Sequence, residues 1–406
     1  MMLRYLISIT LCATLSITAH AAKDSVSTST YKELTEIQEL MATGAMDESA
    51  TRLITLLGEV EDDSLDQALT LQTIGYVEMS REDFPKAIDY LKRSLATERL
   101  PQNVVYNVGY MVAQLHAALG QFDEALVFAE DWFTQLETPT ASQYMFMANI
   151  YAQVKRYAES VPYAEQAVSI AEKPRESWYQ LLTANYFELK RYPEAADALL
   201  RMIALWPEKG GYWEQLASVY MVMDQPERAL ASLKIAFDQS LLDKASTVKS
   251  MIQLAVLQGI PEHGARLLSR AVEEGLVPEE EDILEMQAQA WVTAREYDLG
   301  IEAYQRKAEL FGSAEPWMKI ANLHVDRARW QRAEIAAVRA LESELKEPGK
   351  AWLILGIARV EQGKFETGRK ALRKAAASKG TERSAASWMR YADDMKRQAD
   401  WLAANK

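Results

Sequence analysis

"RYPEAADALL" occupies Arg191–Leu200: an aromatic residue, Pro-Glu, a pair of alanines, then leucines. The chain rewrites this phrase as "DFPKAIDYL" (Asp83–Leu91), "QFDEALVFA" (Gln121–Ala129) and "REYDLGIEAY" (Arg295–Tyr304). Taking the small residue three positions after the aromatic or proline as an anchor gives Ala87, Ala125, Ser160, Ala195, Ala229, Gly264, Gly300, Ala333 and Gly368. Successive anchors lie 38, 35, 35, 34, 35, 36, 33 and 35 residues apart. A period held through nine copies marks a repeat architecture, in which each unit buries its apolar face on its neighbours.

Each unit reads as two helices. The first has apolar residues three and four apart, as in "WEQLASVYMVM" (Trp213–Met223), and a short break follows in which Gly or Lys precedes a polar residue. The repeated phrase then opens the second helix, with Pro85 and Pro193 in its first turn, where a missing N–H does no harm. Two antiparallel helices joined by so short a turn cross closely, and the anchor stays small so that they can touch. The chain as a whole supports this reading: 406 residues, 49% hydrophobic, with only 17 Gly and 12 Pro. That length exceeds what a single compact core usually holds.

These units resemble tetratricopeptide repeats. The family pattern is an opening Trp, Leu-Gly or Leu-Ala, Tyr, then aromatic-x-x-Ala. It is carried by Trp213, Leu216, Ala217, Tyr220 and Ala229, by Trp317, Ile320, Ala321, Trp330 and Ala333, and by Trp352, Leu355, Gly356, Phe365 and Gly368. Tyr179, Leu182, Tyr186, Tyr192, Ala195 and Pro207 fit with Tyr in place of the first Trp, whereas the units around Gly264 and Gly300 lack the opening Trp. "GAMDESA" (Gly44–Ala50) reads as a worn first copy, its Ser49 lying 38 before Ala87. The resemblance implies an all-α fold, an α-solenoid wound as a right-handed superhelix of nine to ten repeats. Residues 31–377 form the array, and residues 378–406 close it with a capping helix expected over Ser384–Ala403.

The first 22 residues stand apart. A short positive start ending at Arg4, an apolar stretch Tyr5–Ile17 and the small-x-small triplet Ala19-His20-Ala21 make a signal peptide cleaved after Ala21. About 13 apolar residues are too few to span a bilayer. Cys12 leaves with that segment, residues 22–30 follow as a flexible N-terminus, and the mature chain is expected in a bacterial periplasm with no cysteine and no membrane span. Removing Arg4 takes the formal charge from -13 to -14, which argues against a nucleic-acid partner. The charge is uneven: Asp24–Tyr90 holds 15 acidic and 4 basic residues, Lys364–Lys406 holds 5 and 11. Solvated helix faces account for this, and oppositely charged ends can also orient a partner.

No catalytic or cofactor motif is found. His116, His263 and His324 have no second His or Cys at metal spacing, and "EQGKFETG" (Glu361–Gly368) is an inter-helix turn and not a phosphate cradle. The acids of "PEEEDILEM" (Pro278–Met286) suit a helix start. Function is therefore expected from a surface, without enzyme activity or cofactor.

In the family resembled, the first helices line a concave groove. Eight residues before each anchor lies an apolar stripe: Met79, Ala117, Ala152, Phe187, Met221, Val256, Val292, Val325 and Val360. Eleven before lie Tyr76, Gln114, Asn149, Ala184, Ser218, Gln253, Gln289, Asn322 and Ile357, five of them amides. Two readings fit. The stripes are packing and neutral solvent-facing polarity, or they form a peptide-binding groove made of Tyr76, Gln114, Asn149, Phe187, Ser218, Met221, Gln253, Gln289 and Asn322. An amide both donates to and accepts from a peptide backbone, so the second reading suits an extended polypeptide. The general layout is similar to exported tetratricopeptide proteins encoded beside TonB, ExbB and ExbD in gammaproteobacteria, which implies a periplasmic scaffold aiding energy transduction for iron uptake. Exported arrays of the same repeat also serve envelope assembly and polysaccharide export, and that alternative stands beside the first.

Overall fold

The computed structural model describes residues 25–405. The expected signal peptide and cleavage site lie outside the described residues. Twenty-one α-helices and no strand occur among those residues. They divide into two compact units, with the boundary between residues 198 and 199.

The first unit contains the hairpins α1 (Thr28–Ala42) and α2 (Met46–Glu59), α3 (Leu65–Ser80) and α4 (Phe84–Ala96), α5 (Gln102–Ala118) and α6 (Phe122–Thr134), α7 (Ala141–Gln153) and α8 (Tyr157–Ile170), then α9 (Glu176–Glu188). Helix α10 (Tyr192–Leu205) runs across the division. The second unit contains α11 (Gly210–Val222) and α12 (Pro226–Asp238), α13 (Ala245–Leu257) and α14 (Pro261–Glu273), α15 (Glu281–Thr293) and α16 (Tyr297–Phe311), α17 (Ala314–Asp326) and α18 (Trp330–Leu341), α19 (Pro348–Glu361) and α20 (Phe365–Ala376), and a single long helix, α21 (Glu382–Ala404).

The nine anchors all fall in the first turn and a half of an even-numbered helix, and all are buried. The physical reason is visible at the glycines. A Cβ on Gly300 would stand 2.7 Å from Val292 Cγ2 and 3.3 Å from the Ala288 carbonyl oxygen; one on Gly368 would stand 2.8 Å from Val360 Cγ2 and 3.1 Å from the Gly356 oxygen. The paired helices touch backbone to side chain at this point. Ser160, the one hydroxyl among the anchors, fits because its Oγ donates to the Ala148 carbonyl at 2.6 Å and accepts from Asn185 Nδ2 at 2.7 Å. The polar group is thereby satisfied in a dry seam.

The turn before every anchor is built the same way. The residue five before it has positive φ in all nine copies: Glu82, Gly120, Lys155, Lys190, Asp224, Gly259, Arg295, Ala328 and Gly363. Each closes the preceding helix with the paired bonds of a left-handed cap. In one copy Lys364 N–H reaches the Arg359 carbonyl at 2.9 Å and Gly363 N–H the Val360 carbonyl at 2.9 Å. The stretch "GAMDESA" obeys the same rule, with Gly44 at φ 86 and Ser49 fully buried in α2. That copy is a complete hairpin whose first helix begins at Thr28.

Candidate functional site

The apolar stripe lies where the hairpin closes. Its residues accept the cap hydrogen bonds just described, and Val292 and Val360 are the side chains that press on Gly300 and Gly368. Met79, Ala117, Val256, Val292 and Val325 are accordingly half-buried against the core clusters, and Val360 is buried. Two members depart from this. Phe187 in the first unit and Met221 in the second keep 45% and 48% of their surface exposed.

The stripe three residues earlier is different in the two units. In the first, Tyr76 is half-buried and its hydroxyl accepts from Gln72 Nε2 at 2.7 Å; burial pushes the phenol's pKa up. Gln114 is half-buried and bonded to Tyr110, and the exposed Asn149 donates to its own helix at the Met145 carbonyl, 2.8 Å away. One turn before Gln114, the Tyr110 ring stacks on Trp132 at 3.9 Å and meets Phe146 edge-on at 5.1 Å. In α5 and α7 this face thus carries packed rings.

In the second unit Ser218, Gln253, Gln289 and Asn322 are all exposed. Ser218 Oγ donates to Glu214 O at 3.0 Å and Gln289 Nε2 to Glu285 Oε1 at 2.6 Å, while Gln253 and Asn322 make no side-chain hydrogen bond among the described residues. A count along the chain misses what lies beside them. A row of ion pairs ties successive odd-numbered helices together one turn away. Glu214 of α11 pairs with Lys244 before α13 at 2.9 Å, Lys249 of α13 with Asp282 of α15 at 2.7 Å, and Glu285 of α15 with Lys319 of α17.

Glu285 is the centre of this row. Burial works to raise its pKa, but hydrogen bonds from Lys319, Lys307 and Gln289 outweigh it and hold the carboxyl below its usual range. Its charge stays on and stays matched. A partial signal was present in the sequence, since Glu214, Lys249 and Glu285 each lie 15 residues before an anchor. Only the spacing between helices shows that they alternate with partners.

The odd-numbered helices also touch their predecessors through the residue nine before the anchor. Tyr151 OH donates to Glu130 at 2.6 Å with Arg156 over its ring at 4.9 Å, and Arg359 Nε donates to Glu334 at 2.8 Å. His116 and His324 hold the same place. Both are buried; burial first, then Arg329 and Arg332, lowers the pKa of His324. No group of three His, Cys, Asp or Glu placed to hold a metal occurs among the described residues, and no described helix is long and apolar enough to cross a membrane.

Residues 140–173 and 318–383 match tetratricopeptide repeat families. The chain is similar in structure to a tetratricopeptide repeat protein from Parabacteroides merdae, at 16% identity over 65% of this chain and 99% of that one, with a TM-score of 0.38. It is also similar to YrrB, described as a TPR protein with an unusual peptide-binding site, at 13% identity, 48% and 94% coverage and a TM-score of 0.38. A third is MamA, at 16% identity, 41% and 94% coverage and a TM-score of 0.35. No curated protein matches the chain.

Proposed function

We propose that this chain, a tetratricopeptide repeat protein and so a scaffold for protein–protein interaction, takes an extended polypeptide partner on the odd-helix face of its second unit. The observation that carries the proposal is the exposed run Ser218, Gln253, Gln289 and Asn322 beside charges already neutralised by the Glu214–Lys244, Lys249–Asp282 and Glu285–Lys319 pairs. A face with satisfied charges and the free amides of Gln253 and Asn322 offers hydrogen bonds to a peptide main chain and little preference for a charged side chain. Met221 adds an exposed apolar contact at one end. The first-unit residues Tyr76, Gln114, Asn149 and Phe187 belong to the proposal as a second, more apolar stretch.

Proteins of this repeat are generally non-catalytic, and no reaction, metal or cofactor is invoked. In the finer reading the protein works in the periplasm after loss of residues 1–21, as an accessory of a system of the TonB, ExbB and ExbD kind. Service in envelope assembly or polysaccharide export is the alternative.

A photoreactive residue at Gln289, which is exposed and untouched by the changes below, is expected to crosslink a polypeptide in intact cells. The triple change of Asn149, Gln253 and Asn322 to Glu should abolish that product while leaving the helical circular dichroism intact. A product unaffected by the triple change would sink the site. Identification of the captured chain as TonB, ExbB or ExbD, or as an export component, separates the two finer readings, and N-terminal sequencing of the protein recovered from the cell envelope tests cleavage after Ala21.

A further inference from the structure

Helix α21 is out of proportion to its neighbours. Its 23 residues, against 12 in α20, extend about 34 Å against about 18 Å. One side is spoken for: Ala385 and Ala392 are buried, Trp388 and Met389 pack with Val360 and Leu372, and Arg369–Asp393 and Lys396–Glu366 pairs fasten the helix to α20. The opposite side carries Arg383, Ser387, Arg390, Asp394, Arg397 and Trp401, all six exposed, Trp401 by 64%. Their spacing is 4, 3, 4, 3, 4, the alternation that keeps a stripe facing one partner along the whole length of two paired helices.

We propose that two copies of the chain associate through this stripe, α21 against α21 in antiparallel register. The stripe is complementary to its own reverse. When Arg390 of one copy faces Asp394 of the second, symmetry forms the same pair again, Ser387 faces Arg397, and Arg383 reaches Trp401 with Asp400 beside it. Every position then has a partner of suitable chemistry: ion pairs at the centre, an arginine on an aromatic face at each end. Parallel pairing would set Arg383, Arg390 and Arg397 each against itself. Within one copy Asp394 pairs with Arg397, whereas Arg383 and Arg390 have no carboxylate partner among the described residues, so the second copy lets Asp394 bridge to Arg390 as well and supplies what the first lacks.

Charge also permits the contact. The exposed ionic groups of α21 are three arginines and three acids, Glu382, Asp394 and Asp400, so this helix is locally neutral on a chain of formal charge -13. Two copies meet most easily where the repulsion is cancelled. One helix seam buries less than the roughly 800 Å² per partner of a stable interface, so the dimer is a weak one, with a dissociation constant on the order of tens of micromolar. Raising salt weakens it further.

Sedimentation of the full chain from about 5 to about 500 µM should bracket that constant. Asp394→Arg places like charges opposite each other twice and is expected to weaken the dimer at least about tenfold. Arg390→Asp should do the same, and combining the two exchanges the charges and restores association to within about threefold of the original chain. Trp401→Ala should weaken it about threefold. These side chains are exposed, so the helical circular dichroism stays the same in every variant. A single-chain mass at all concentrations overturns the proposal, as does a dimer indifferent to both single changes, or a double change that fails to restore it. An original chain that stays monomeric but floats with anionic phospholipid vesicles would assign the stripe to a lipid surface and equally overturn it.

Discussion

The two units solve one packing problem with different materials. In the first, the odd-helix face is held by rings: Tyr110 on Trp132, Phe146 across both, Phe133 against Tyr144 and Tyr163 at 5.2 Å each. In the second, the same face is held by alternating charges and leaves Gln253 and Asn322 without a side-chain hydrogen bond among the described residues. Beneath both lies the same crossing, with small anchors and a left-handed cap. The repeat therefore fixes the hairpin, and the groove-side positions remain at liberty to differ. That difference is why the proposed polypeptide site is placed in the second unit.

The comparison breaks most visibly at Trp132, which is almost fully buried. Trp132→Ala should cost about 3 to 5 kcal/mol, and hydrogen exchange should show the loss concentrated in α5–α8 with α13–α20 protected. Equal loss throughout would mean that the aromatic cluster does not belong to the first unit alone. Next in size is the shared crossing: Ala125→Leu and Ala229→Leu should each cost about 1 to 3 kcal/mol by overpacking. Urea unfolding of both variants checks this, and a large disparity between them would deny that the two units share one crossing.

Smaller still is the strained cap. Ala328 sits at φ 52, where a side chain is penalised and glycine is not. Ala328→Gly should stabilise the chain by about 0.5 to 1 kcal/mol, seen as a rise in urea midpoint; a fall would show that another contact holds that φ.

The last effect depends on pH. The folded pKa of His324 is lowered from 6.5. The unfolded chain therefore binds its proton first, and the stability His324 contributes is complete above about pH 6.5 and is lost as pH falls below it. His324→Tyr, which installs the residue found at Tyr151, Tyr186 and Tyr220, should flatten the stability profile between pH 7 and the folded pKa. An unchanged slope would show that His324 does not carry the pH dependence.

Much of the fold was legible in the sequence, and for a definite reason. The anchors are sterically limited: a residue whose Cβ must clear a neighbouring backbone by about 3 Å leaves its mark on every copy. The cap was half legible. Gly120, Gly259 and Gly363 announce a left-handed residue, but Glu82, Lys155, Lys190, Asp224, Arg295 and Ala328 adopt the same conformation with no such sign. The apolar stripe was visible, yet its role was not, because a half-buried valine in a hairpin crossing and one in a groove follow the same period. The amides were equally visible, and so was each charge beside them.

By itself, then, the sequence determined the repeat, its period, its crossing residue and the all-helical class, since those follow from contacts between residues about 8 to 12 apart within one hairpin. Only the tertiary structure decided which side chains of different hairpins meet. Lys249 with Asp282, Glu285 with Lys319 and Tyr110 with Phe146 are separated by 33 to 36 positions and join helices whose relative placement no local pattern encodes. Local sterics repeat and can be counted along a chain. The pairing of exposed charges and rings depends on distances between elements, and those distances exist only once the helices have stacked.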